Sequence, residues 1–231
     1  MLKRFTEEYI SEFVYGGIDG IVTTFAVVAA SAAAKLDVGV VLVLGFANLF
    51  ADGISMGISA YLSERSDVDN YRKQRRAVVV LLDDSISKAS GIITKHLKKY
   101  GFSDTSLTSA TQTIATSDQA AEFIMKEEHG LAAEPTKATV IGLITFAAFI
   151  VVGFIPITAY LYDFVTEGPS QHLFLYTSIL AGIAFAGIGW MKSRVTHAPV
   201  VVSVLETLVL GAVAASAAFA VGSYLEPLFI K

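Results

Sequence analysis

Five long apolar stretches constrain this chain more than any other feature of its sequence. Each has about the 20 mostly apolar residues that a helix needs to cross a bilayer. We predict spans at residues 15–34, 38–62, 138–162, 172–191 and 199–225. The polar segment between the second and third spans, residues 63–137, holds 11 of the 17 Lys and Arg residues. The pattern is typical of a membrane protein with one soluble insert.

The predicted fold is all-α, with five transmembrane helices and a helical insert between helices two and three. Residues 1–62 comprise an amphipathic segment and the first two spans, residues 63–137 the insert, and residues 138–231 the last three spans. Within the insert we expect the second span to continue over residues 67–80. Two further helices are predicted at about residues 85–100 and 117–130, with a loop over 101–109. Pro156 is expected to kink the third span.

Basic residues predict how the chain is oriented. With five spans, Lys3 and Arg4, the basic residues of the insert, and Lys192 with Arg194 all fall on one side of the membrane. This asymmetry predicts that the N-terminus and the insert are cytosolic. We expect the membrane to be a prokaryotic plasma membrane, with a vacuolar membrane as the alternative.

Three carboxylates interrupt the apolar spans: Asp19 in span one, Asp52 in the middle of span two and Glu206 in span five. A charge at the bilayer centre costs roughly 3 kcal/mol on insertion scales, so such groups usually face a cavity or a partner. Asp19 also fits an interfacial helix cap, and Glu206 fits a metal ligand of the transport path, a proton carrier or a structural ion pair. Asp52 is the strongest candidate, because no structural role requires a carboxylate at mid-span.

Span two places its polar residues in one stripe. Asn48, Asp52 and Met56 follow the i, i+4, i+8 spacing that aligns side chains along one helix face. Oxygen ligands alone suit Mg²⁺ and Ca²⁺, whereas a thioether favours a later transition metal. The alternative is that Met56 only fills packing space and that Asn48 bridges two helices by a hydrogen bond.

The last predicted helix of the insert carries a second group of candidate metal ligands: Glu122, Met125, Glu127 and Glu128. Met125 and Glu128 share a helix face. A solvated acidic face is the commoner reason for such residues, so the alternative of no metal stays open.

The sequence argues against an enzyme. The chain has no cysteine, which excludes thiolate nucleophiles and thiolate metal sites. Ser55 and Ser59 lie within span two, but no histidine is placed at their depth, because all four lie in the insert or at span ends. We therefore expect no catalytic residues.

Five segments in order along the chain resemble the vacuolar iron transporter family. They read GGIDGIVTTFAVVA, GFANLFADGISMGISAYLSERSD, FIMKEEHGL, FIPITAYL and VLETLVLGAVAASAAFAVG. The resemblance implies a five-span homodimer with an ion path at its interface, which moves Fe²⁺ and often Mn²⁺ out of the cytosol in exchange for protons. It also implies a cytosolic metal-binding domain between spans two and three. Asp19 and Met56 match the family's transport-path residues, and Met125 and Glu128 match residues of that domain.

The chain departs from the family pattern at two places. Plant-type members have an acidic residue where this chain has Asn48, and here the acid is Asp52, one turn nearer to Met56. The first helix of the family's cytosolic domain is rich in glutamates, whereas this chain reads NYRKQRRAVVVLLDD there. Cations repel Fe²⁺, so the membrane site is better supported than the insert site.

The leading hypothesis is therefore an exporter of Fe²⁺ and Mn²⁺ coupled to protons. A Mn²⁺-selective or broad divalent-cation exporter is the runner-up, and a non-transporting membrane scaffold or regulatory protein is the alternative from another class. The expected partners of the chain are divalent metal ions, protons, membrane lipid and a second copy of the chain. We expect no cofactor beyond the transported ion, and no nucleic acid.

Overall fold

The computed structural model describes residues 2–131, 136–166 and 172–229, with the side chains of residues 2–8 left outside the description. The described residues form nine α-helices, and the chain divides into two compact units. The membrane unit comprises residues 1–61 and 139–231, and the insert unit comprises residues 62–138. Helix α2 runs through the boundary between them.

The membrane unit holds parts or all of six helices. Their bounds are α1 Leu2–Ala33, α2 Val38–Asp84, α6 Ala138–Gly153, α7 Thr158–Thr166, α8 Leu173–Thr196 and α9 Val200–Phe229. Five segments are long and apolar enough to cross a membrane, which confirms the predicted number of spans. Helices α6 and α7 together form the third of them.

The third span is interrupted where the sequence predicts a kink. Helix α6 ends at Gly153, a short 3₁₀ turn covers Ile155–Ile157, and α7 begins at Thr158. Pro156 lies inside that turn. Because proline has no backbone N–H and its ring clashes with the preceding turn, a regular α-helix cannot continue through it. The predicted kink is confirmed.

Like α6, helix α1 contributes to both apolar clusters of the membrane unit. One cluster joins it to α8 and α9 through Phe25, Phe185 and Ala215. The other joins it to α2, α6 and α7 through Val28, Leu49 and Phe149. By contrast, α2, α8 and α9 leave many large apolar side chains exposed, such as Val43, Ile183 and Val213. A continuous apolar exterior of this kind suits lipid rather than water.

The insert unit packs three short helices against the second half of α2. They are α3 Ile86–Lys99, α4 Asp104–Ala115 and α5 Ala120–His129. Their shared core contains Tyr71, Val78, Ile93, Ile124 and Met125. Gly101 and Gly130 follow α3 and α5 with positive φ, as expected for helix-terminating glycines.

The loop predicted over residues 101–109 is wrong, because α4 begins at Asp104. The segment is rich in Ser and Thr, which are weak helix formers. Leu107, Ala110 and Ile114 nevertheless pack against the insert core. Tertiary packing of this apolar face therefore outweighs the low propensity.

Candidate functional site

Small residues hold the carboxylate-bearing part of α1 close to α6. A Cβ atom added at Gly16 would lie 2.6 Å from the carbonyl oxygen of Thr145, and one added at Gly20 would clash with the carbonyl oxygen of Phe149. The two backbones are therefore in direct contact, as glycines permit in membrane helices. Asp19 lies on α1 between these glycines but is itself exposed on the surface of the single chain.

The polar stripe of α2 is positioned in the same way. Gly53 and Gly57 face α6, where an added Cβ at Gly57 would lie 2.9 Å from the Cβ of Phe146. With the glycine face against α6, Asn48, Asp52 and Met56 are left half-buried. Met56 packs against the cluster that joins α1, α2 and α6.

The fold brings the carboxylates of Asp19 and Asp52 within electrostatic range, so that the two groups repel each other. Spans one and two thereby place two acidic groups together inside the membrane unit. No basic side chain among the described residues pairs with either of them. A pair of carboxylates without a counter-ion attracts a cation or a proton.

Asp52 and Asn48 also line a cleft between α1, α2 and α9. Its volume is about 670 Å³, and its walls are mostly apolar. The side-chain nitrogen of Asn48 is buried there without a hydrogen-bond partner among the described residues. A buried polar atom of this kind usually has a ligand or water as its partner.

Glu206, the third carboxylate predicted in the spans, lies elsewhere. Its Oε2 accepts a hydrogen bond from Lys192 Nζ at 2.6 Å, which joins α9 to α8. The structure therefore shows an ion pair at Glu206, which was one of the alternatives for this residue. It does not place Glu206 beside Asp19 and Asp52.

In the insert, Glu128 has two basic neighbours on α3. Lys95 Nζ donates to both carboxylate oxygens of Glu128 at 2.9 Å. The buried ring of His96 contacts Oε2 of the same carboxylate through Nε2. The hydrogen bonds from Lys95 and His96 lower the pKa of Glu128 from 4.5 to about 2. This carboxylate therefore stays ionised, and Lys95 balances its charge.

The Glu127 carboxylate also has partners within the insert. The Tyr100 hydroxyl donates to Glu127 Oε2 at 2.8 Å, and Lys126 Nζ lies 3.7 Å from Oε1. The hydrogen bond to the carboxylate raises the pKa of the Tyr100 hydroxyl, because ionised tyrosine cannot donate it.

The sequence pattern of the VIT family matches residues 10–223. The chain belongs to the VIT family. Among its relatives are vacuolar iron transporter 2 of Oryza sativa subsp. japonica, 29% identical over 221 residues that cover 94% of this chain and 88% of the relative, and vacuolar iron transporter 1 of Tulipa gesneriana, 28% identical over 231 residues that cover 97% and 90%. The vacuolar iron transporter of Toxoplasma gondii is 30% identical over 229 residues, which cover 96% and 76%.

Membership of the VIT family confirms the resemblance noted in the sequence. These relatives are named as transporters, in agreement with the expectation that this VIT-family chain is not an enzyme. The match spans both units of the structure, since it includes the insert as well as all five spans.

Met125 and Glu122, the remaining insert residues predicted as ligands in this VIT-family chain, differ in burial. Met125 is 1% exposed and belongs to the insert core, whereas Glu122 is exposed on α5. In the described ranges, no group of three or more His, Cys, Asp or Glu side chains is arranged to hold a metal ion. Metal binding at Met125, Glu122, Glu127 and Glu128 stays a prediction.

Sequence reasoning missed Glu12, which lies seven residues before Asp19 on α1. Its Oε2 accepts a hydrogen bond from Thr145 Oγ1 of α6 at 3.2 Å. Seven residues are close to two helical turns, so Glu12 and Asp19 share a face of α1. That spacing was readable in the sequence and is the signal that should have identified Glu12.

Proposed function

We propose that this chain exports Fe²⁺, and also Mn²⁺, from the cytosol in exchange for protons. The observation that carries the proposal is the juxtaposition of Asp19 and Asp52 inside the membrane unit, with no basic partner for either among the described residues. The named relatives are iron transporters, which supports iron as the ion. Met56, half-buried on the same helix as Asp52, adds a thioether that favours later transition metals.

Proton exchange follows from the chemistry of a carboxylate pair. The repulsion between Asp19 and Asp52 is relieved either by a divalent cation or by a proton. Competition between these two ligands couples ion release to proton uptake from the far side. The basic residues of the insert, together with Lys192 and Arg194 in the last turns of α8, support a cytosolic location for the insert. A prokaryotic plasma membrane stays a prediction, with a vacuolar membrane as the alternative.

Exposure of Asp19 supports a homodimer. Asp19 and its neighbour Tyr15, which is 64% exposed, lie on the surface of a single copy within the first span. A carboxylate facing lipid is costly, and a second copy that covers this face of α1 removes that cost. The site would then draw ligands from both copies, which agrees with finding only a pair of acidic residues in one.

Flux into proteoliposomes tests the transport proposal. In Asp52→Asn we expect Fe²⁺ flux driven by a proton gradient to fall by about tenfold or more, since even residues that only support metal ligands commonly contribute that much. Asp67→Asn is the matched control, because Asp67 is an exposed residue of the same helix. Parental flux in Asp52→Asn would rule out this mechanism. Competition by Mn²⁺ and Zn²⁺ at two pH values separates an iron exporter from a broad divalent-cation exporter, and absence of flux in every arm indicates a scaffold.

Cross-linking tests the homodimer. The chain has no native cysteine, so a single Tyr15→Cys substitution provides one defined thiol. We expect it to form a disulfide between two copies in the membrane, whereas Ile183→Cys, equally exposed on α8, should not. Equal cross-linking of both variants would argue against an α1-centred interface.

A further inference from the structure

The cleft that begins at Asp52 ends at an ion pair. Along α2 it passes from Asp52 to Asn48 and Leu44, and on α9 it is lined by Gly222 and Glu226. Asp52 and Leu44 are eight residues apart, or about 12 Å along a helix. The cleft therefore connects the middle of span two with the end of the membrane unit where α1 passes into α2.

Glu226 and Lys35 meet at that end. Lys35 Nζ donates to Glu226 Oε1 at 2.8 Å, and the two residues are separated by 191 positions in the sequence. The side chain of Glu226 is 28% exposed, whereas that of Lys35 is 77% exposed. The carboxylate thus belongs to the cleft, and the ammonium group approaches it from outside, on the turn between α1 and α2.

The last turns of α9 combine a close contact with α1 and a proline inside the helix. Gly222 lies against the carbonyl oxygen of Ala30 with no room for a Cβ atom, which anchors α9 on α1. Pro227 lies inside the helix one residue after Glu226. Proline removes the hydrogen bond to the carbonyl four residues earlier and weakens the helix there. The Lys35–Glu226 pair joins this part of α9 to the turn between α1 and α2.

We propose that Glu226 forms a second cation-binding site, separate from Asp19 and Asp52, at the outer end of the transport route, and that Lys35 competes with the cation for this carboxylate. This proposal rests on the proposed transport function. An ion leaving Asp52 passes the amide of Asn48 and reaches Glu226, where it displaces the Lys35 ammonium group. A single carboxylate that already has a competing cation binds a divalent ion weakly, and weak binding is what release requires.

The proposal predicts that two substitutions change the inhibiting concentration of Mn²⁺ in opposite directions. Outward flux in proteoliposomes is measured while Mn²⁺ is added on the release side, and the concentration that halves the flux is determined. In Lys35→Met the competitor is gone, so this concentration should fall about threefold, the size expected for one exposed ion pair. In Glu226→Gln it should rise. Arg65→Met, which removes the exposed Arg65–Asp69 pair of α2, is the matched control and should change nothing.

A purely structural role for the pair predicts a different result. Loss of this contact between α9 and the α1–α2 turn would lower the thermal stability of both variants. The inhibiting Mn²⁺ concentration would then change in the same direction in both variants, or would not change. Either outcome overturns the proposal. The charge-swapped variant Lys35→Glu/Glu226→Lys re-forms an ion pair, so it should restore the thermal stability but not the parental inhibition by Mn²⁺.

Mn²⁺ titration of the purified full chain, followed by electron paramagnetic resonance, separates this proposal from the transport function. Lys35→Met should gain a Mn²⁺ site that the double variant Lys35→Met/Glu226→Gln lacks. If the parental chain moves no ion but this difference is present, the transport function fails and the Glu226 site stands. If the parental chain transports and the difference is absent, only the Glu226 site fails.

Discussion

The two units of this chain use acidic residues in opposite ways. In the membrane unit, Asp19 and Asp52 repel each other and have no basic partner among the described residues. In the insert, Glu128 is held by Lys95 and His96. In the second setting, hydrogen bonds from Lys95 and His96 stabilise the ionised carboxylate. The difference supports our proposal that cation binding belongs to the membrane unit, while Glu128 links α5 to α3.

Removing the charge of one acid in each unit is the strongest test of this difference between the two units. Asp19→Asn should lower Fe²⁺ flux by about tenfold or more, because it removes half of the carboxylate pair. Glu128→Gln, the corresponding change in the insert, should leave flux within about twofold, because a surface ion pair contributes little. Both fluxes are measured in the same proteoliposome assay. A larger loss in Glu128→Gln than in Asp19→Asn would reverse the assignment.

Replacing the buried methionine of the insert tests whether it is core or ligand. Met125→Ala should destabilise the insert by about 2–5 kcal/mol, the usual result of deleting a large buried side chain. Met125→Leu, which preserves volume, should cost less than about 1.5 kcal/mol. Hydrogen exchange of the α5 amides measures both. If Met125→Leu instead lowered Fe²⁺ binding by the insert while the fold stayed intact, Met125 would be a ligand.

The other methionine provides the contrasting test. Met56→Leu should preserve packing on α2 but remove the thioether, so the preference for Fe²⁺ over Mn²⁺ should decrease by a few-fold. Competition between the two ions in the flux assay gives this ratio. Met125→Leu is the control, and an equal change of preference in both variants would remove the distinction between the two units.

Acid pH should loosen the insert in a defined window. The pKa of Glu128 is about 2 in the folded chain and 4.5 ordinarily. A lowered pKa stabilises the folded state above pH 4.5, and this contribution is lost as the pH falls toward 2. The protection of the α5 amides, measured as the intrinsic exchange rate divided by the observed rate at the same pH, should therefore fall between these values. In Glu128→Gln that part of the pH dependence should be absent, and its persistence would show that other groups control it.

Much of the architecture was predictable, because spans and helix ends depend on local sequence. The number of spans, the kink at Pro156 and the terminating role of Gly101 and Gly130 follow from apolar length and from the backbone properties of proline and glycine. Helix α4 was not predictable in this way. Its Ser and Thr residues disfavour a helix, and only contact with the insert core shows why it forms.

The candidate site was predictable in part. Periodicity alone aligned Asn48, Asp52 and Met56 on one stripe, and an acid in an apolar span identified Asp19. The approach of Asp19 to Asp52 was not predictable, since it depends on how Gly20 and Gly57 pack against α6. Glu12 was overlooked, although its spacing from Asp19 was available in the sequence.

The sequence by itself determined that this is a five-span protein of the VIT family with acids in its membrane segments, because apolar length, charge and motif order are properties of the chain alone. Only the tertiary structure decided which acids of the chain have a basic partner. Lys95 reaches Glu128 across 33 residues and Lys35 reaches Glu226 across 191. Pairs so distant in sequence are chosen by helix packing, because electrostatic interactions depend on distance in space.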